Sequence, residues 1–332
     1  MTIENKSIKK VKVIAELCQN HNGDIKLVEE MVHAAADAGA DIVKIQSIDS
    51  KDLTHRKKFD DGLVVNDEVK IIKRPYKVEY DRLKKLDLNR DDHLNFIEIC
   101  KKFKIIPMTT IFNLSKINYV RELNFNSVKL ASYDCGSHYM ISKILEKNFD
   151  KIVISSGASY DHEIEKTCHL MRNHKDFTLL HCVTIYPTPL DSAHLNRIKY
   201  LKKLTKNVGI SDHSDPEKTR FKLCVGAVDL GANLVEKHFT ILKKDQTKDG
   251  PVSVNQKQLK ELIEVVNLDD HDRKNYIKEN IPEYNQMLGK EKRELSKVEI
   301  LNREYYRGRF ASKDEQGKIY YNWEEINLSK LV

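Results

Sequence analysis

Two stretches of the chain finish on a histidine. Residues 208–213 read VGISDH, and residues 234–238 read LVEKH. In each, a short apolar run of the kind that forms a buried strand gives way to polar residues. A lone histidine is more often a structural residue than a ligand. Two of them, His213 and His238, at the ends of consecutive strands lie within reach of one ion. Imidazole suits manganese, iron, cobalt, nickel or zinc. With only two protein ligands apparent, other coordination positions stay open to water or substrate, which is the character of a catalytic site. Asp212 and Glu236 sit beside the histidines and are candidates to orient the two rings.

A second set consists of lysines and hydroxyls. Lys44 and Lys129 interrupt the apolar runs DIVKIQ (41–46) and SVKLAS (127–132). A buried ammonium group is costly unless an anion faces it. That anion is either a bound phosphate or carboxylate, or a carboxylate of the chain such as Glu16 or Glu236. Thr110, Ser132, Ser155 and Ser211 stand at equivalent places in other runs and offer hydroxyls. The full set favours an anion ligand. The segment YPTP (186–189) is a rigid loop that can hold Tyr186 over such a ligand.

Positioning these groups requires a repeating frame. Runs with the look of buried strands occur at 11–17, 41–46, 104–110, 127–132, 151–156, 177–183, 207–211 and 233–238. Helical periodicity fills the gaps, most clearly at 25–40, 91–103 and 217–232. Strand–helix alternation repeated eight times predicts a (β/α)8 TIM barrel, whose chemistry sits where the strands end. An open doubly wound sheet is the alternative, but the Gly-rich turn expected after its first strand is absent from AELCQNHNGD. Residues 47–90 form a charged insertion, residues 256–300 are charged and helical, and the tail from 302 is rich in tyrosine.

Composition narrows the function classes. The 332 residues are 40% hydrophobic and 32% charged, enough to bury a full core. No apolar run approaches membrane-spanning length, and the N-terminus lacks the pattern of a signal peptide, so a cytoplasmic protein is expected. The net charge of +7 is spread thinly. Without a basic tract or a nucleic-acid-binding signature, no nucleic-acid partner is expected, and the charge suits anionic small substrates. Cys18, Cys100, Cys135, Cys168, Cys182 and Cys224 form no CxxC pair and read as reduced, mostly buried thiols.

Read together, IAELCQNHNGDIKLVEEMVHAAADAGADIVKIQ, SVKLASYD, IVISSGAS, LLHCVTIYPTP, GISDHS and EKHFT resemble, in order, the sialic acid synthase family. The likeness covers roughly residues 11–255. It implies condensation of phosphoenolpyruvate with an open-chain amino sugar, release of phosphate, and a divalent metal, typically Mn2+. By motif position, Lys44, Thr110, Lys129, Ser132, Ser155 and Ser211 look like phosphoenolpyruvate-binding groups, and His213 and His238 like metal ligands. Glu16, Gln46, Asp134, Tyr186 and Glu236 look like sugar-side or proton-handling groups.

Departures from the family fall on the sugar side. Asp134 stands where Glu is common, and Thr184 where Asn is common. DGPV (249–252) replaces GPD, so that Val252 takes the place of an acidic residue unless Asp249 substitutes. These changes point to an acceptor other than N-acetylmannosamine. The resemblance divides the chain into a catalytic barrel, residues 1–270, and a helical linker with a remnant of an antifreeze-like domain, residues 271–332. Family members use that domain to send an arginine into a partner subunit. A homodimer is therefore expected, with Arg307 or Arg309, or another chain, in the role of the missing part. Two other functions remain: a related synthase or an aldolase using Lys129 as a Schiff base, and a non-catalytic sugar-binding relative.

Overall fold

The computed structural model describes residues 10–331. Strands β1 (Lys12–Cys18), β2 (Ile42–Ser47), β3 (Ile106–Ile111), β4 (Ser127–Leu130), β5 (Lys151–Ser155), β6 (Phe177–Cys182), β7 (Val208–Asp212) and β8 (Leu234–His238) are each followed by a helix. The strands pair in parallel, in chain order, and close where β8 meets β1. The barrel expected from the alternation is the observed fold, with strand ends within two residues of the expected ones.

The helices form the outer layer: α1 (Ile25–Asp37), α2 (Arg90–Lys102), α3 (Ser115–Glu122), α4 (His138–Leu145), α5 (Asp161–Met171), α6 (Arg197–Leu204), α7 (Lys222–Asp229) and α8 (Gln256–Val266). Local chemistry sets their starts. Asp24 caps α1 by accepting from the Lys26 amide, and Asn89 and Asp92 close a reciprocal capping box on α2. Helix α1 buries Val28, Met31, Val32, Ala34 and Ala35 against the sheet. The helix expected over 217–232 is instead broken. A short turn, Pro216–Thr219, precedes α7, and Arg220 between them has φ 49°. A left-handed residue cannot continue an α-helix.

Strand alternation builds the interior in layers. Ile14, Ile42, Met108, Val153, Leu180 and Leu234 form a buried apolar plug inside the barrel. Side chains two residues apart on a strand share a face. The next inward residues on the same six strands are therefore Glu16, Lys44, Thr110, Ser155, Cys182 and Glu236, all buried. Lys129 on β4 and Ser211 on β7 complete this polar layer, which sits directly on the plug.

Two segments cover the end of the barrel where the strands finish. The insertion after β2 carries an exposed hairpin, Leu63–Val65 with Glu68–Ile71, and a helix, Tyr76–Lys84. Beyond α8 the chain forms α9 (Asp270–Asn280), α10 (Tyr284–Leu288) and α11 (Lys297–Tyr306). Helix α11 and the tail then tie the strand-end loops together. Asn302 Nδ2 donates to the Thr184 carbonyl (2.8 Å), Arg303 Nη1 to the Ala158 carbonyl (2.6 Å), and Asn322 Nδ2 to the Phe112 carbonyl (2.8 Å). The Ala311 amide donates to the Asp52 carbonyl (3.1 Å). Among the described residues no helix is long and apolar enough to cross a membrane.

Gly209 on β7 has no room for a side chain. A Cβ there would lie 2.1 Å from the Leu234 carbonyl oxygen and 2.6 Å from Leu180 Cδ2. Backbone cannot yield as a flexible side chain can. Gly209→Ala is expected to lower the unfolding free energy by about 1–3 kcal/mol, the usual cost of overpacking. Urea denaturation checks this, and an unchanged midpoint would refute it.

Candidate active site

The polar layer opens into a cavity of about 430 Å³ at the strand ends. Its floor is a buried charge quartet. Lys44 Nζ contacts Glu16 and lies 3.7 Å from Glu236 Oε2, and Lys129 Nζ contacts Glu236 Oε1. Thr110 Oγ1 accepts from Lys44 Nζ (2.9 Å), and Ser211 Oγ donates to Glu236 Oε1 (2.7 Å). Of the two possibilities for the lysines, the chain alone realises pairing with Glu16 and Glu236. Burial pushes the Lys44 ammonium down to about 7, with the charge of Glu236 opposing. Burial also raises Glu236, but Lys129, Lys44 and Ser211 outweigh it and hold that carboxyl well below the usual range. The floor thus pairs two basic with two acidic side chains, so its lysines bring no excess of fixed positive charge.

The hydroxyls and Asp134 line the same cavity. Ser132, Asp134, Ser155, Gln46 and Tyr186 are all in its wall, with Thr110 and Ser211. Among the described residues Ser155 Oγ, buried, has no hydrogen-bond partner, and neither has Glu236 Oε2. Buried polar atoms are rarely left so unless a ligand completes them. Asp134 accepts from Ser137 Oγ (2.9 Å) and Asn322 Nδ2 (2.8 Å). Burial raises its carboxyl to about 6 against these two hydrogen bonds. Thr184 is not brought into the cavity wall. It is fully buried behind Gly157, where an added Cβ would meet Thr184 Cγ2 at 2.8 Å and Ser132 Oγ at 2.9 Å. Val252 is also buried away from the cavity, whereas Asp249 lines it.

His213 and His238 come together as the strand count requires, their ring centroids 5.2 Å apart, with the half-exposed Tyr186 ring 4.3 Å from His213. Burial, then the neighbouring His238, lowers His213 well below the ordinary value, and burial lowers His238 to about 4. Both rings are thus neutral at pH 7, the form that ligates metals. His238 Nδ1 is buried and has no partner among the described residues. These residues fit a divalent ion. Cys18, His238 and Asp249 also bring potential ligand atoms within 4.8 Å of one another. The orienting role considered for Asp212 and Glu236 is not seen. Asp212 Oδ2 accepts from Lys237 Nζ (2.9 Å), its Oδ1 accepts from the Ser214 amide (2.7 Å), and Glu236 faces the lysines.

Several wall residues were not visible as a group in the sequence. Arg74, Arg82, Lys248 and Arg309 form a cationic rim. Glu79 organises it, accepting from Arg82 Nε (3.0 Å) and contacting Arg309, with Lys248 at 3.9 Å. Burial raises Glu79, but the Arg82 hydrogen bond and the Arg309 and Lys248 charges hold its carboxyl at about 2. Arg82 comes from the insertion and Arg309 from the tail, and sequence distance hides their meeting. Arg307, considered alongside Arg309, instead lies near Glu163 (3.4 Å).

Comparison with known proteins places this geometry. Residues 31–273 match the NeuB family model. N,N'-diacetyllegionaminic acid synthase of Campylobacter jejuni is 33% identical over 77% of this chain and 75% of its own length. A pseudaminic acid synthase of the same species is 27% identical over 94% of this chain and 85% of its own. Among solved structures, N-acetylneuraminic acid synthetase of Leptospira borgpetersenii superposes with a TM-score of 0.65 at 26% identity, covering 92% of this chain and 95% of that one.

The quartet can be tested apart from any activity. Lys129→Met strands one of the floor's carboxylates and is expected to cost about 3–5 kcal/mol, as breaking a buried pair usually does. Lys129→Met combined with Glu236→Leu restores neutrality and is expected to regain most of that loss. Urea denaturation of the two variants decides, and a double variant no more stable than the single one would contradict the pairing.

Proposed function

The chain belongs to the NeuB family and is a synthase of the sialic acid type, and on that basis we propose that it condenses phosphoenolpyruvate with an open-chain acetamido aldose to a nonulosonate, releasing phosphate. The observation that carries this reading is a single one. Two lysines, four hydroxyls and two neutral imidazoles line one cavity, where Ser155 Oγ and His238 Nδ1 lack partners among the described residues. The relatives named for legionaminic and pseudaminic acid support a nonulosonate product. Of the departures at Asp134, Thr184 and Val252, only Asp134 lines the cavity, and it supports an acceptor other than N-acetylmannosamine.

In this reading Lys44 and Lys129, with Thr110, Ser132, Ser155 and Ser211, hold the phosphate and carboxylate of phosphoenolpyruvate and aim its C3 at the aldehyde carbon. Gln46, Tyr186 and the rim face the sugar. His213 and His238 would hold a divalent ion, Mn2+ by resemblance, which when bound would supply Lewis-acid polarisation of the aldehyde oxygen. The C2–C3 electron pair forms the new carbon–carbon bond. Water adds at C2, and the tetrahedral carbon loses phosphate with cleavage of its C–O bond. Asp134, ionised at neutral pH, receives the proton of that water and passes it on to the former aldehyde oxygen. The remaining hydroxyl proton at C2 leaves with phosphate as the ketone forms, and Glu16 and Glu236 hold the protons of the lysines in place. The division of the chain near residue 270, a homodimeric state and a cytoplasmic location belong to the same proposal.

The protein with phosphoenolpyruvate and Mn2+, Co2+ or Zn2+ is expected to release phosphate with one of a panel of mono- and diacetamido aldoses. No release with any of them overturns the reading. With the active aldose, kcat/KM is expected to fall about tenfold per pH unit below pH ~6, where Asp134 takes up its proton and can no longer accept one. Asp134→Asn is expected to cost about 10²–10⁴ in rate and to remove this acid limb. A limb that persists in the variant would assign the proton to another group.

A further inference from the structure

We infer that Cys18 and Asp249 join His238 as ligands of the divalent ion, making a mixed sulfur, nitrogen and oxygen site. This rests on the proposed reading that an ion sits at this end of the barrel, and it names the ligands and metal class that this chain brings to it. The three side chains each offer a ligand atom within 4.8 Å of the others, and all three line the cavity. Cys18 Sγ is 2.8 Å from Asp249 Oδ2. His238 supplies the independent sign of a missing partner, because it is 7% exposed and its Nδ1 bonds to nothing among the described residues.

The backbone delivers each ligand by a separate device. Register between β1 and β2 shifts between Glu16 and Cys18, and Cys18 has φ 50°. The Cys18 amide donates to Glu16 Oε1 (2.6 Å), which fixes the strand end on the quartet. His238 follows Glu236 on the same face of β8. Asp249 lies in the loop after β8, where an added Cβ at the next residue, Gly250, would stand 2.0 Å from the Lys244 carbonyl oxygen. His213, the other imidazole proposed to hold the ion, stands beside His238 with ring centroids 5.2 Å apart.

Ligand type decides which metal such a site prefers. Carboxylate and water suit manganese and magnesium, whereas thiolate with imidazole favours zinc, iron or cobalt. A set containing Cys18 therefore selects an ion of borderline softness over Mn2+. Among the other cysteines, Cys182 also lines the cavity, with Sγ 3.6 Å from His213 Nδ1, and it serves as the control.

Co2+ titrated into the chelator-stripped full chain reads both levels. Visible d–d bands report an ordered metal site, and a near-ultraviolet sulfur-to-cobalt charge-transfer band reports a cysteine ligand. Both are expected in the unaltered protein. Cys18→Ser should abolish the charge-transfer band, keep the d–d bands and weaken binding by about 10–100-fold or more. Cys182→Ser should keep both, and Asp249→Asn should keep the sulfur band with weaker binding. Zn2+ should displace Co2+ more readily than Mn2+ does, and by a smaller margin in Cys18→Ser. Visible bands without a sulfur band overturn this assignment and leave the metal reading standing. A sulfur band that survives in Cys18→Ser overturns it too, and no cobalt spectrum at all overturns both. The band must appear in the unaltered protein, so a variant that folds poorly does not shelter the proposal.

Discussion

Four charges buried on an apolar plug govern this molecule. Glu16, Lys44, Lys129 and Glu236 come from β1, β2, β4 and β8, and each is 5% exposed or less. None could remain ionised there alone, because the cost of desolvating one charge is several kcal/mol. Their mutual pairing joins the adjacent strands β8, β1 and β2 to β4 across the barrel. The same pairing holds two ammonium groups ready at the floor of the cavity. Stability and anion recognition thus draw on the same side chains, and altering one alters both.

Neutrality of the floor has a chemical consequence. Lysines whose charge is already matched can donate hydrogen bonds to a phosphate and a carboxylate but cannot by themselves balance their charge. Additional positive charge must come from the rim, where Arg74, Arg82, Lys248 and Arg309 gather, and, in the proposed reading, from a divalent ion at the ends of β7 and β8. The insertion and the tail matter for the same reason. They bring Arg82 and Arg309 to Glu79, and they place Asn322 on Asp134, whose raised carboxyl suits it to proton transfer. The barrel supplies the floor, and the irregular segments supply the walls.

Much of this was legible from residue order. The eight apolar runs gave the barrel, and polar residues at their ends located the cavity, because period-two alternation and strand-end chemistry are local rules. Thirteen of the fourteen residues singled out for the site line the cavity, Thr184 being the exception. What stayed hidden depends on tertiary contact. Asp212 turns to Lys237, a pairing across β7 and β8 that spacing does not reveal. Helix α7 starts late because Arg220 adopts a left-handed backbone. Cys18 looked like an ordinary buried thiol, although it stands two residues past Glu16, as His238 stands two past Glu236. That equal step was the available signal.

Affinity for phosphoenolpyruvate, measured by calorimetry in chelator-stripped and divalent-loaded protein, tests the neutral floor most directly. With the lysine charges already matched, removal of the ion is expected to weaken binding by about tenfold or more, a loss of at least ~1.4 kcal/mol. Equal affinity with and without the ion would contradict the account, in which the matched lysines leave part of the ligand's charge for the ion to balance.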